Sequence, residues 1–218
     1  MVDHEDIKAE RITDEAGRKA ALQVLTATYK KEKGWVSEPE QQIPPSDVGR
    51  QDIAWFVVHF RERPVGVLRV LYDPPLAQYA KYGFKLIDPR IDIEAYLKQR
   101  RFAEIGRFAV VSEHRGNMML AAALMRAATE DMVELGYTHL ITDVFEDDVH
   151  SPLGFHTRVM GFLPVATHDH GELNCASRRI TLVLDLKSSY QRLRARGNWL
   201  YRYLTRDWDD ALHRRFAS

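Results

Sequence analysis

The order of segments in this 218-residue chain implies a mixed α/β architecture, a mixed sheet flanked by helices with a helical extension at the C-terminus. Two observations support this. Segments of strand character and of helical period follow one another as β-β, β-α, β-α, β-β, the pattern of one sheet with helices on its faces. Beyond Leu186 the composition turns aromatic and basic. The expected division is an α/β domain over 1–186 and a helical appendage over 187–218.

From Asp14 to Lys30, the apolar residues Ala20, Leu22, Val24, Leu25 and Tyr29 recur at a period near 3.6, which predicts a helix. The proline-rich, polar stretch KGWVSEPEQQIPPSD ends it in a loop. IAWFVVHF (Ile53–Phe60) and PVGVLRVLY (Pro64–Tyr72) are rich in β-branched and aromatic residues. With Arg61, Glu62 and Arg63 between them they form an antiparallel hairpin. DPPLAQYAKYGFKLIDPR has no regular period, and IDIEAYLKQRR is a short helix candidate. AEIGRFAVV (Ala103–Val111) reads as a buried strand carrying two charges. EHRGNMMLAAALMRAATEDMVELG supplies a long helix closed by Gly136, at the position past the cap where a left-handed residue is favoured. THLITDVF (Thr138–Phe145) is a strand and HSPLGFHTRVMG a short helix ended by Gly161. FLPVATHDHGELN and SRRITLVLDL (Ser177–Leu186) make a last hairpin. In the appendage, Tyr190, Leu193, Leu200, Tyr203 and Leu204 keep helical spacing.

Composition narrows the function. A hydrophobic fraction of 45% and a charged fraction of 28% are those of an ordinary globular protein. The chain has 31 basic and 31 acidic side chains, and this balance argues against bulk nucleic-acid binding. The lone Cys175 excludes an intrachain disulfide and fits a reducing compartment. No signal-type apolar run is seen near the N-terminus, and nothing approaches the roughly 18 apolar residues of a membrane helix. A cytoplasmic location without integral membrane contact is expected.

Three constellations carry chemistry. In a regular strand, Glu104 and Arg107 point to opposite faces. A bulge at Gly106 would bring both to one face. Such charges in an apolar strand form either a structural ion pair or a substrate-orienting acid and cation in a cleft, because burying one alone is expensive. The turn Glu113–Met119 leads through Arg115 and Gly116 into a helix, where free backbone N–H groups and the helix dipole suit a phosphate. A plain surface turn is the alternative, with Met118, Met119, Leu120, Leu124 and Met125 as ordinary core. The third cluster, FEDDVHSPLGFHTRVMGF with Asp143 just before it, gathers Asp143, Glu146, Asp147, Asp148, His150 and His156 where strand ends open into a cleft. It is either a solvated acidic loop or a source of a base for an amine. His168, His170 and Cys175 in HDHGELNC match no strong zinc spacing, so no metal is expected.

From AEIGRFAVV through HRGNMMLAAALMRAA and THLITDV to FHTRVMGF, the chain resembles the GNAT superfamily of N-acyltransferases. The resemblance implies a GNAT-like mixed, largely antiparallel sheet flanked by helices and an acyl-thioester donor, either acyl coenzyme A or the phosphopantetheine of an acyl carrier protein. It places the donor phosphate on Arg115, Gly116, Asn117, Met118 and Met119, and the thioester against main-chain groups of Val110 and Val111. His156 falls where members of the family often carry a tyrosine as general acid. Met118 and Leu120 replace the two small residues of the usual phosphate turn. Their bulk disfavours a pyrophosphate and favours the single phosphate of a carrier protein.

YKKEKGWV, the hairpin ending in VGVLRV and the E-x-x-R-F strand resemble the carrier-protein-dependent branch, which includes N-acyl amino acid synthases and acyl-homoserine-lactone synthases. That likeness implies functional roles for Glu104 and Arg107, a small amine acceptor and an acidic carrier-protein partner. A coenzyme A-dependent acetyltransferase, a homoserine-lactone synthase and a non-catalytic binding module are the alternatives. A basic docking surface fits an acidic partner. From Lys187 onward, eight basic residues (Lys187, Arg192, Arg194, Arg196, Arg202, Arg206, Arg214, Arg215) face only Asp207, Asp209 and Asp210, a local charge of +5. Arg100, Arg101, Arg115 and Arg126 add to it. Trp55, Phe56, Phe84 and Met118 are candidates to shape an acyl pocket.

Overall fold

Among the described residues, eight strands form a single sheet in the order β1-β2-β3-β5-β6-β8-β7-β4. They are β1 (Ile7–Arg11), β2 (Ile53–Phe60), β3 (Arg63–Tyr72), β4 (Lys85–Leu86), β5 (Phe102–Val110), β6 (His139–Phe145), β7 (Leu163–His168) and β8 (Arg179–Asp185). The computed structural model describes residues 6–75, 82–90, 95 and 98–217. Every pairing is antiparallel except β5 with β6, which is parallel. That junction divides the sheet into two antiparallel halves.

Alternation along the strands explains the layering. In β2, Phe56 and Val58 join a core beneath the long helix α2 (Met118–Glu134), while Trp55 and Val57 join a second core beneath α1 (Glu15–Leu25). Asp14 caps α1 by accepting from the Gly17 amide at 2.8 Å. Its buried Val24 and Leu25 each contribute about 1.5–3 kcal/mol by leaving water. Helix α1 then widens into a π-helical stretch, Thr26–Glu32, in which Lys33 N donates to Thr28 O at 3.0 Å. The predicted helix is thus two helical forms in series. Wide turns of this kind frequently mark functional sites.

Asn117 caps α2, and Gly136, at φ +85°, ends it as expected. The β2–β3 hairpin closes through Arg61 and Glu62, both left-handed, with Phe60 opposite Arg63. Gly161 (φ +90°) closes a second π-helical segment, Phe155–Met160. Two strands escaped the sequence reading. β1 is a short edge strand whose alternating charges hide its period, and β4 has only two residues. The short helix expected over IDIEAYLKQRR falls mostly outside the described residues.

After β8 come α3 (Leu186–Ala195), α4 (Trp199–Leu204) and α5 (Asp210–Ala217). Tyr190, Leu193, Leu200, Leu204 and Phe216 enter the same core as α2, so these helices share the interior of the sheet domain. No helix among the described residues is long and apolar enough to cross a membrane.

Candidate active site

The site forms where β5 and β6 part. Their pairing runs only from Phe102–His139 to Ile105–Thr142. Just beyond it, β5 carries an extra residue. Val67 faces Ala109 and Arg69 faces Gly106, so Arg107 and Phe108 together oppose Leu68. Arg107 takes a left-handed backbone, φ +52°. A bulge of this kind bends its strand and re-aims a side chain. The bulge falls at Arg107 and Phe108, not at Gly106 where the sequence offered one, and both Glu104 and Arg107 line one cavity of about 670 Å3.

The ladder also settles which amides are available. Val111 N–H donates to Val65 O at 2.9 Å, so this amide is held in the sheet. Antiparallel alternation then turns the amide of Val110, opposite Gly66, toward the gap left by β6. Val110 lines the cavity and Val111 does not.

At the deep end lies a chain of charges. Arg69 Nη2 is 3.2 Å from Glu104 Oε1 and 3.5 Å from Glu172 Oε2. Arg107 Nη2 is 2.8 Å from the same Glu172 oxygen, and its Nε donates to Gln42 Oε1 at 2.8 Å. Burial and the neighbouring Arg69 cation hold the Arg107 guanidinium below its ordinary range. Burial pushes the Glu172 carboxyl up, but the two arginines outweigh it and leave it below the usual carboxylate range. Sequence reasoning missed Arg69 and Glu172. Arg69 carried the signal used for β5, a lone charge within an apolar strand; Glu172, in the β7–β8 loop, carried none.

At the shallow end, Arg115 is engaged by Glu32, with Nη1 2.6 Å from Oε1, and its Nε donates to Val110 O at 3.2 Å. Gly116 (φ +88°) has open space where a side chain would stand. Asn117 accepts from the Met119 amide at 3.1 Å, so Met119 N–H is already used. Met118 is 46% exposed at the mouth. Leu120 is fully buried in the α2 core and cannot crowd the turn, contrary to the expectation. Lys33 Nζ meets Asp148 Oδ1 at 2.6 Å across the same mouth.

Aromatic and aliphatic side chains line the space between, among them Phe108, Phe145, Phe155 and Val159. The pocket-shaping candidates Trp55 and Phe56 are instead core residues, because both faces of β2 are covered by helices. Phe84 packs outside the cavity, against Phe102, Ile141 and Val183. His156 is fully buried among Phe108, Phe155 and Phe162, and neither ring nitrogen has a partner among the described residues. Burial lowers its pKa to about 4, so at neutral pH it is an uncharged imidazole.

Asp143 opens on the cavity and accepts from Thr181 Oγ1 at 2.7 Å. His168 Nε2 is 3.1 Å from its other oxygen. His168 Nδ1 donates to His170 O at 2.6 Å. No cluster of three or more side chains suited to hold a metal occurs among the described residues.

The Acetyltransferase (GNAT) family model matches residues 20–162. The chain belongs to the GNAT family. Its members are N-acyltransferases, and this GNAT chain is an acyltransferase. No curated protein matches it by sequence. Among solved structures it is similar to FeeM, an N-acyl amino acid synthase from uncultured soil microbes, at TM-score 0.64 and 15% identity, over 90% of this chain and 97% of that one. It is also similar to RimL, the ribosomal L7/L12 α-N-protein acetyltransferase in complex with coenzyme A (TM-score 0.56, 13% identity, 85% and 96% covered). A putative N-acetyltransferase from Lactobacillus plantarum gives TM-score 0.54 at 16% identity, with 83% and 98% covered. At such identities these likenesses bear on the fold.

Of the basic C-terminal residues of this GNAT chain, only Arg192 is half-buried, and it donates to Met160 O. Lys187, Arg194, Arg196, Arg202, Arg206, Arg214 and Arg215 are exposed; of these, Arg215 donates to Val133 O and Arg206 pairs with Asp207.

Proposed function

We propose that this GNAT protein transfers a long-chain acyl group from an acyl carrier protein thioester to the primary amine of an amino acid. The observation that carries this reading is the gap between β5 and β6, where one cavity is lined by Glu104 and Arg107, by apolar side chains and by the turn at Arg115. The thioester carbonyl lies against the Val110 amide, which stabilises the developing oxyanion. The neutral amine attacks the carbonyl carbon; the C–N bond forms and the C–S bond breaks. Glu104 receives the amine proton, and Arg107 holds the acceptor carboxylate by a charge-assisted bond. The departing thiolate takes a proton from solvent. His156 is neutral and supplies at most an N–H hydrogen bond, because an imidazole with pKa about 4 carries no spare proton at neutral pH.

The turn supports a carrier protein as donor. With Met119 N–H used by Asn117 and Met118 at the mouth, Arg115 and the Gly116 region suit one phosphate better than two. Exposed Lys187, Arg194, Arg196, Arg202 and Arg214 suit an acidic partner. Coenzyme A is the competing donor, favoured by the open space at Gly116.

The test offers long-chain acyl carrier protein, long-chain acyl coenzyme A and acetyl coenzyme A, each with a panel of amino acids, and identifies products by mass. Acyl amino acid formed chiefly from the carrier protein supports the reading. Turnover confined to acetyl coenzyme A would overturn it.

A further inference from the structure

Arg107 is the group on which the acceptor reading rests, and it is already satisfied by a carboxylate of this chain. We propose that Glu172 is a built-in stand-in for the acceptor's carboxylate, released from Arg107 when an amino acid binds, and that this exchange sets the preference for carboxylate-bearing amines. The inference rests on the acceptor class proposed above.

Geometry comes first. A single oxygen of Glu172 bridges two guanidinium groups, 2.8 Å from Arg107 Nη2 and 3.5 Å from Arg69 Nη2, and its loop lines the cavity. This is a position that a small ligand's carboxylate would take. The Arg107 guanidinium is fixed by its bulge and by Gln42, so the carboxylate is the exchangeable partner.

Exposure marks the member that can leave. The side chains of Arg69, Arg107 and Glu104 are 10%, 10% and 11% exposed, against 39% for Glu172. Rotation of the Glu172 side chain reaches water without remaking the loop. The loop backbone is held separately, because Arg179 donates to the carbonyls of Asp169, Leu173 and Cys175.

Charge balance gives the driving logic. Among the described residues, two arginines face two carboxylates in this cluster, so their charges balance. An acceptor carboxylate added while Glu172 stayed would set three anions against two cations at low dielectric, which is costly. Exchange keeps the balance. Without any substrate, an empty Arg107 would be a buried cation lacking a counter-charge, and Glu172 prevents that.

The competition is tested in Glu172→Gln, which keeps the shape and removes the charge. A site filled by its own carboxylate binds ligand more weakly by the fraction of time it is open, so free amino acids are expected to bind Glu172→Gln on the order of tenfold more tightly. Calorimetric titration of free amino acids into both proteins measures this without turnover. In parallel, with long-chain acyl carrier protein as donor, the KM ratio of a decarboxylated amine to its parent amino acid should rise by a similar factor. If Glu172→Gln fails to fold, Glu172→Asp, one methylene too short to reach from the same loop, carries the same expectation. Equal or weaker amino-acid binding in the variant overturns the proposal, whatever the turnover shows. Acyl amino acid detected by mass decides the functional reading separately. Tighter binding without that product would overturn the function and leave the exchange standing.

Discussion

Glu104 and Arg107 face the same cavity from one strand, and each has its own oppositely charged neighbour, Arg69 for Glu104 at 3.2 Å and Glu172 for Arg107 at 2.8 Å. The chain of charges is therefore longer than the strand that first drew attention to it. Arg69 supports Glu104 from β3, and Glu172 closes the network from a loop.

Removing Arg69 should expose that dependence. Arg69→Met removes the cation 3.2 Å from Glu104, and breaking a buried pair from one side costs about 3–5 kcal/mol. Urea unfolding should show a loss of that size. The double variant Arg69→Met/Glu104→Gln should recover most of it, because the carboxylate that Arg69 balanced is then neutral. A loss of the same size in the double variant would mean that packing, not charge, is what Arg69 supplies.

Arg115 should behave differently. Its pair with Glu32 is partly open to solvent, with side chains 22% and 29% exposed, so Arg115→Ala should change stability by no more than about 1 kcal/mol. If Arg115 receives the donor phosphate, the same variant should raise the thioester KM about tenfold, the loss of one charge-assisted contact. Steady-state kinetics with donor and acceptor varied in turn measure both constants. An effect confined to the acceptor KM would remove Arg115 from the donor site.

His156 should make the protein acid-sensitive. Its pKa falls from the ordinary 6.5 to about 4 on folding, because burial disfavours the cation. Between those values the unfolded chain binds a proton that the folded one excludes. Stability then rises with pH across that window and is lost as pH falls from 6.5 toward 4. Each pH unit corresponds to about 1.4 kcal/mol. Lowering the pH from 7.5 to 5.5 should cost the parent about 1.4 kcal/mol more stability than it costs His156→Leu. Equal pH slopes in the two proteins would place the histidine in a wetter site than the one described.

His168 has the opposite sign. Burial pushes its pKa down, but the Asp143 carboxylate and the His170 carbonyl outweigh that and hold it above the ordinary histidine value. Its contribution to stability is complete below 6.5 and is lost as pH rises through the folded value. Proton NMR should find one imidazole titrating above 6.5, moving down in Asp143→Asn. A signal unmoved by that substitution would dissociate the pair.

Much of the architecture was legible because strands and helices advertise themselves by period. The apolar hairpin at Ile53–Tyr72, the helix closed by Gly136 and the final hairpin all appear where alternation, the 3.6-residue repeat and glycine stops placed them. The edge strand Ile7–Arg11 was hidden, since an edge needs charges that blur its alternation.

The candidate site was legible only in part. Glu104 and Arg107 stood out as charges in an apolar strand, and Arg69 could have been read in the same way. Which face each occupies was beyond the sequence, because a single bulge residue reverses it. Local order sets where a strand or helix forms and which residue types can do acid, base or phosphate chemistry. Partners are set by contacts across long separations: Glu172 on Arg107, Glu32 on Arg115, Val65 on the Val111 amide. Those depend on strand register and on the splay of β5 from β6, and no local spacing encodes them.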